Sequence, residues 1–269
     1  MPLTEKIRFE RVSKVFSIRD ENSNRGKKEF TAVKDIDFVV NEGEFITLVG
    51  PSGCGKSTLL DLLGGLTKPT RGRILIDGKE ITGPGLDRGT VFQQYALFPW
   101  KTARGNIEFG LEAKGVAKKE RKEQADYYLD LVGLKNFADR YPHELSGGMK
   151  QRVAIARSLA FNPDVLLMDE PFAALDAQTR ETLQSELLRI WEKTGKTIIF
   201  ITHGIDEAVY LGQRVVVLSP NPGSVKKIVD IPLKNRLEDA DLHSTPEFVK
   251  ARREVWSLLH EPEFIGANI

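Results

Sequence analysis

With 269 residues, the chain can bury a sizeable core in one or two domains. Its 39 Lys and Arg against 38 Asp and Glu leave a net charge of +1, which argues against nucleic acid as a partner because that ligand demands a basic surface. The single cysteine, Cys54, excludes an internal disulfide; no apolar signal core follows Met1, and the longest apolar runs fall far short of the roughly 18 residues of a membrane span, so a soluble cytoplasmic chain is expected.

Ile7 to Val12 largely alternates, as a half-buried strand should, and leads through Val15 to Phe16. The polar run Ser17 to Glu29 reads as a mobile hairpin loop, and Phe30 to Val40 as the returning strand. Glu42-Gly43 turns the chain into the apolar run Phe45 to Val49, a short buried strand. After the segment 50–58, Leu59 to Leu63 reads as a helix ended by Gly64-Gly65, and Gly72 to Gly78 as a strand closed by Asp77-Gly78. From about Thr102 to Tyr141 the chain is charge-rich with apolar residues at helical spacing, which predicts a helical insertion between two halves of an α/β core. Alternation then resumes: helix 148–159, strand 165–168, helix 177–193, strand 197–201, helix 206–211 and strand 215–218, implying a largely parallel sheet. The tail beyond Pro232 is polar, then predicts a closing helix from Pro246 to Leu259 whose Phe248, Val255, Trp256 and Leu259 pack on the domain. No internal repeat or low-complexity tract is present.

The segment Gly50-Pro51-Ser52-Gly53-Cys54-Gly55-Lys56-Ser57-Thr58 lies between a buried strand and a helix, the context a phosphate-binding P-loop requires. Glycines at 50, 53 and 55 let successive N–H groups point inward, and the helix start adds its positive dipole end. Lys56 is placed to reach the β- and γ-phosphates and the Ser57 hydroxyl to complete a Mg²⁺ shell. A glycine-rich turn with a chance lysine would lack this strand-to-helix setting. The chain is thus expected to bind a nucleoside triphosphate. Cys54, at a helix N-terminus and two residues from Lys56, is expected to favour its thiolate and to react readily.

Val165-Leu166-Leu167-Met168-Asp169-Glu170 delivers two carboxylates to the end of a buried strand. Asp169 can hold Mg²⁺ directly or through water, and Glu170 can polarise an attacking water. The alternative is an ordinary acidic turn, which the P-loop upstream disfavours. Leu145-Ser146-Gly147-Gly148-Met149-Lys150-Gln151-Arg152 looks like a second phosphate-binding helix start. One triphosphate has no use for two such starts unless they come from different subunits.

This segment resembles the signature of ATP-binding cassette (ABC) ATPases, and the remaining elements of that family follow in order over roughly residues 7 to 230. Phe16 stands where the family's adenine-stacking aromatic sits, Gln93 matches the Q-loop glutamine, Ala174-Leu175-Asp176 the D-loop and His203 the switch histidine. The resemblance implies an α/β fold, a P-loop NTPase core of ABC type with an antiparallel β subdomain and a helical subdomain inserted at about 102–160. The cassette would span 1–232, with 233–269 as a C-terminal extension. It further implies head-to-tail pairing of two cassettes, identical or homologous, with two ATPs between them. Lys56 and the loop N–H groups would hold phosphates; Ser57, Asp169 and Gln93 would organise Mg²⁺. Glu170 would activate water, His203 would sense the γ-phosphate, and Ser146, Gly147 and Gly148 would cap the partner's ATP. Two positions depart from the commoner pattern, Met149 for glutamine and Phe16 for tyrosine; neither removes the helix start or the stacking face.

With one cassette and no span, the transport pathway is expected in a separate permease, with the chain peripheral on the cytoplasmic face of the cell membrane. Phe98-Pro99-Trp100, Pro171-Phe172-Ala173-Ala174-Leu175-Asp176 and Leu218-Ser219-Pro220-Asn221-Pro222-Gly223 followed by Ile231-Pro232-Leu233 resemble the importers of nitrate, sulfonate, taurine and related solutes, which a solute-binding protein feeds. The alternative is a soluble ABC ATPase acting on nucleic acid or ribosomes. Those proteins usually carry two cassettes or a long coiled coil, and this chain has neither.

Overall fold

The computed structural model describes residues 4–19, 27–239 and 241–260. Strands β1 (Glu5–Arg19), β2 (Lys27–Asn41), β4 (Arg71–Ile76) and β5 (Lys79–Glu80) form an antiparallel sheet in the order β2-β1-β4-β5. Strands β3 (Phe45–Val49), β6 (Arg88–Val91), β7 (Val165–Asp169), β8 (Thr197–Ile201), β9 (Arg214–Ser219) and β10 (Ser224–Asp230) form the second sheet, ordered β10-β9-β3-β8-β7-β6. All its pairings are parallel except β9 with β10.

The parallel strands read as continuous apolar runs because both their faces are covered. Alternate residues feed two cores. On β3, Phe45 and Val49 enter the core shared with the helical insertion, whereas Ile46 and Leu48 enter the core shared with the antiparallel sheet. On β8, Phe200 and Ile199 divide in the same way. In the antiparallel sheet Phe9 and Phe38 are register partners and stack at 4.5 Å.

Helices α1 (Lys56–Leu63), α2 (Ala103–Ala113), α3 (Lys118–Leu131), α4 (Gly147–Ala160), α5 (Ala177–Thr194), α6 (Ile205–Leu211) and α7 (Pro246–His260) complete the fold. The chain leaves the parallel sheet after β6, builds α2 and α3, and returns along α4 to β7. Ile107, Leu111, Ala125, Leu129, Val153 and Leu159 bury the faces of these three helices together.

Three expectations need correction. The run Ser17 to Glu29 is not all loop: β1 and β2 continue as a ribbon in which Ser17 pairs with Glu29 and Arg19 with Lys27, the rest of the hairpin lying outside the described residues. Backbone pairing, not apolar alternation, holds this ribbon, so its sequence hid it. Strands β5, β6 and β10 were also unforeseen; β6 reads Arg-Gly-Thr-Val and β10 is an edge strand rich in lysine. In α7, Phe248 and Val255 are buried as expected, but Trp256 is exposed and stacks on His260 at 4.2 Å. Among the described residues no helix is long and apolar enough to cross a membrane.

Candidate functional site

The P-loop joins β3 to α1. Gly53 and Gly55 have φ of +79° and +86°, values that a side chain would strain. Gly55 precedes the first turn of α1 with no side-chain cap, which leaves the helix's first N–H groups for a ligand. The loop is seated against two neighbours. A Cβ on Gly55 would lie 2.4 Å from Val33 Cγ1 and 2.8 Å from Ala32 O, on β2. Behind it stands the β9–β10 turn: Gly223 N donates to Ala32 O at 3.0 Å, Lys34 N donates to Gly223 O at 2.8 Å, and a Cβ on Gly223 would fall 1.9 Å from Cys54 O.

Lys56 folds over the loop, donating to Gly50 O at 2.8 Å and Pro51 O at 3.3 Å. Pro51, Ser52, Gly53 and Ser57 are exposed, and Thr58 is half-buried. The Cys54 side chain enters the core, where it is fully buried, with Lys56 Nζ 3.9 Å from its sulfur. Burial pushes its thiol up, outweighing the nearby Lys56 ammonium, so the reactive thiolate expected from sequence is overturned.

Parallel pairing in the order β3-β8-β7 brings three strand ends to one edge of the sheet. Ser57 Oγ donates to Asp169 Oδ1 at 3.5 Å. Burial, then the Glu170 and Asp61 charges, hold the Asp169 carboxyl above its ordinary range, while the Ser57 bond and Lys56 act against them. Glu170 adopts a left-handed φ of +44°, with its N–H donating to Ile201 O at 3.0 Å. That turn carries its carboxylate to His203, whose Nδ1 lies 2.9 Å from Glu170 Oε1. The structure therefore brings Ser57, Asp169, Glu170 and His203 together. A serine hydroxyl beside a carboxylate is a hard-oxygen donor pair that suits Mg²⁺, which takes only one or two protein oxygens and completes its shell with phosphates and water. Among the described residues no group of three or more His, Cys, Asp or Glu could hold a metal ion.

Gln93 stands apart from this group. It is exposed, two residues beyond Val91, whose register partner on β7 is Met168, so it shares the strand-end edge with Asp169. The next residues, Tyr95 and Ala96, hold left-handed φ values of 56° and 47°. Arg157 of α4 clamps them, donating to Ala96 O at 2.5 Å and Tyr95 O at 3.1 Å. Phe16 is exposed on β1 opposite Phe30, with Lys14 Nζ 5.0 Å above its ring.

Ser146 caps α4, accepting from Met149 N at 3.3 Å, and Gly147 and Gly148 form its first turn. Gly148 is obligatory for packing, since a Cβ there would approach Thr179 Cγ2 to 2.8 Å. Gly147 lies beside Leu175, and Asp176 caps α5 by accepting from Thr179 N at 3.0 Å. Among the described residues no hydrogen bond or ion pair joins Ser146 to the P-loop. Sequence reading missed the backing of the loop by Ala32, Val33 and Gly223, the Arg157 clamp, and the pairing of Thr202 with Glu207. None of these follows a local pattern, although Gly223 between a proline and a strand was a visible signal.

A family profile described as ABC transporter matches residues 33–173. The nitrate import ATP-binding protein of Synechocystis sp. is 54% identical over 239 residues, 86% of this chain and 89% of that one. The taurine import ATP-binding protein of Pelagibacter ubique is 46% identical over 243 residues, 88% of this chain and 92% of that one. Among solved structures, a dimeric post-hydrolysis ATP-binding cassette bound to ADP and Pi aligns with a TM-score of 0.71 at 35% identity, covering 85% of this chain and all of that one, or 100%. The motifs, the two-sheet fold and these relatives agree: the chain belongs to the ABC transporter family, as one of its ATP-hydrolysing, ATP-binding subunits.

Proposed function

We propose that this chain powers the import of a small solute such as nitrate, a sulfonate or taurine through a separate membrane permease, working as a pair of cassettes on the cytoplasmic face of the membrane. The observation that carries the catalytic part is the convergence of Lys56, Ser57, Asp169, Glu170 and His203 at one end of the parallel sheet. Lys56 turns from its own loop carbonyls to the β- and γ-phosphates, which the N–H groups of 53–58 also hold. Ser57, Asp169 and Gln93 would hold Mg²⁺, which would supply neutralisation of charge on the phosphate oxygens. Glu170 accepts a proton from the attacking water, and His203, bonded to it through Nδ1, fixes its carboxylate and meets the γ-phosphate. Phe16 stacks on adenine. Ser146, Gly147 and Gly148 cap the ATP of the paired cassette, as the exposed start of α4 and the resemblance to paired cassettes support.

The permease surface is read at Phe98-Pro99-Trp100. Phe98 is half-buried, edge-on to Phe109 at 4.6 Å with Arg157 over its ring, and so packs the insertion. Trp100 is 71% exposed, as a contact for a partner's helix would be. The test is to isolate the full chain, tagged, from detergent-solubilised membranes. A polytopic permease should accompany it, and ATPase activity in liposomes should rise with a loaded solute-binding protein. Trp100→Ala should keep the ATPase of the isolated subunit and lose the association. Co-purification with nucleic acid in place of a permease would reject the importer.

A further inference from the structure

The loop that carries His203 is held from behind by a residue with no part in the site described so far. His203 lies between Thr202, which is 3% exposed, and Gly204, which precedes the first turn of α6. Gly204 has no side chain to cap that helix, and its own N–H donates to Thr202 Oγ1 at 2.9 Å. The Thr202 hydroxyl donates in turn to Glu207 Oε2. The second carboxylate oxygen, Glu207 Oε1, accepts from Gln184 Nε2 of α5 at 2.9 Å, and Gln184 is itself buried.

An acidic residue at the third position of a helix ordinarily reaches back to the N–H of the residue preceding it. Here that N–H goes to the threonine, and the carboxylate holds the threonine hydroxyl. Both flanks of His203 therefore hang from one carboxylate. Burial pushes the Glu207 carboxyl above its ordinary range, opposed by its bonds to Thr202 and Gln184 and by the Arg180 and His203 charges. Capping a seven-residue helix does not call for buried partners on two other elements.

We propose that Glu207 is a positioning residue for ATP hydrolysis: through Thr202 it fixes the backbone on both sides of His203 and so holds Nδ1 against Glu170 Oε1. The inference rests on the assignment of His203 to the reacting γ-phosphate. It also links the loop to α5, whose start carries Ala174-Leu175-Asp176, because Gln184 can follow that helix only by keeping or breaking its bond to Glu207.

The full chain is made with Glu207→Ala, Thr202→Val or Thr202→Ser, and assayed for ATP affinity, kcat and KM, with thermal unfolding as the folding control. Glu207→Ala and Thr202→Val should lower kcat about 10- to 100-fold, as a displaced catalytic group does, with KM little changed. Thr202→Ser keeps the hydroxyl and should restore turnover. In ¹⁵N-histidine spectra the His203 imidazole signals should shift in the first two variants, while those of His143 and His260 stay. Should Glu207→Ala fail to fold, the near-isosteric Thr202→Val carries the same test. The decisive step adds Glu207→Ala to His203→Ala: a residue that acts through His203 lowers the residual turnover no further. An additional tenfold loss there, or a native kcat with unmoved His203 signals in the single variants, overturns the proposal. Native turnover in His203→Ala alone would instead reject the role of His203 on which it rests.

Discussion

Two helix starts in this chain are proposed to meet phosphate, and they differ in how they are capped and backed. The start of α1 has no side-chain cap; its loop is packed from behind by β2 and the β9–β10 turn, with a lysine folded over it. The start of α4 is capped by its own serine and is exposed at that serine. The first is a complete phosphate cradle within one chain. The second supplies N–H groups and a hydroxyl, with Lys150 in the same first turns, which are useful once a triphosphate is already held elsewhere. That asymmetry is the physical argument for a composite site between two cassettes.

The largest expected effect comes from the carboxylate bonded to His203. Glu170→Gln keeps shape but loses the charge that receives the water's proton. Turnover should fall by about 10²- to 10⁴-fold, the usual contribution of a positioned general base, while ATP affinity persists. Paired, ATP-loaded cassettes should then accumulate, read as a doubled mass by light scattering. Hydrolysis at the native rate would place the base elsewhere.

The next pair of variants sets the two starts against each other. Lys56→Ala removes a charge-assisted bond of about 1.5–3 kcal/mol and should weaken ATP binding roughly 10- to 100-fold in the single chain, read by fluorescent-nucleotide titration. Ser146→Arg should leave that titration near native yet abolish turnover, because the bulky cation blocks the partner's γ-phosphate. Activity that survives Ser146→Arg, or stays linear in protein concentration down to the monomer range, would erase the distinction between the two starts.

Much of this was legible in the sequence because the chemistry is local. A strand, a glycine loop and a helix start follow one another directly at 45–58, and Asp169-Glu170 ends a run that only a doubly covered strand would carry. Ser146 declared itself as a cap by the glycines after it. What stayed hidden is non-local or conformational. The left-handed turn at Glu170 has no glycine to announce it, and the Arg157 clamp on Tyr95 and Ala96 spans about sixty residues. The ribbon 17–19 with 27–29 is held by backbone pairing, which composition does not report. Cys54 was misread because spacing gives a residue's neighbours but not the direction of its side chain.

A smaller effect probes why the first start is rigid. A methyl group on Gly223 would meet the Cys54 carbonyl at 1.9 Å and Ala32 O at 3.1 Å, both of them backbone. Neither can yield like a flexible side chain, so the P-loop itself must shift. Gly223→Ala is expected to cost about 1–3 kcal/mol of stability as overpacking does, and to raise the ATP KM several-fold by displacing the Cys54–Lys56 backbone. Gly223→Ala with a native melting midpoint and native KM would show that the β9–β10 turn merely passes behind the loop.

The smallest effect concerns Cys54, which lies inside the first start with its side chain buried in the core. Its thiol is fully buried and its proton is held more tightly than in the unfolded chain. The folded state thus binds more protons than the unfolded state as pH rises past the ordinary thiol range of about 8.5, so this group adds nothing below that range and destabilises above it. Two measurements follow. The melting midpoint should decline more steeply above about pH 8.5 in the native chain than in Cys54→Ala, which has no thiol to titrate. Alkylation at neutral pH should be at least about tenfold slower in the native chain than in urea, because the reagent needs an exposed thiolate. MgATP should slow it further only by stabilising the fold, not by covering the sulfur. Native labelling as fast as unfolded labelling would mean that the side chain points toward the phosphates after all, and the contrast between a backed cradle and a bare helix start would lose its first term.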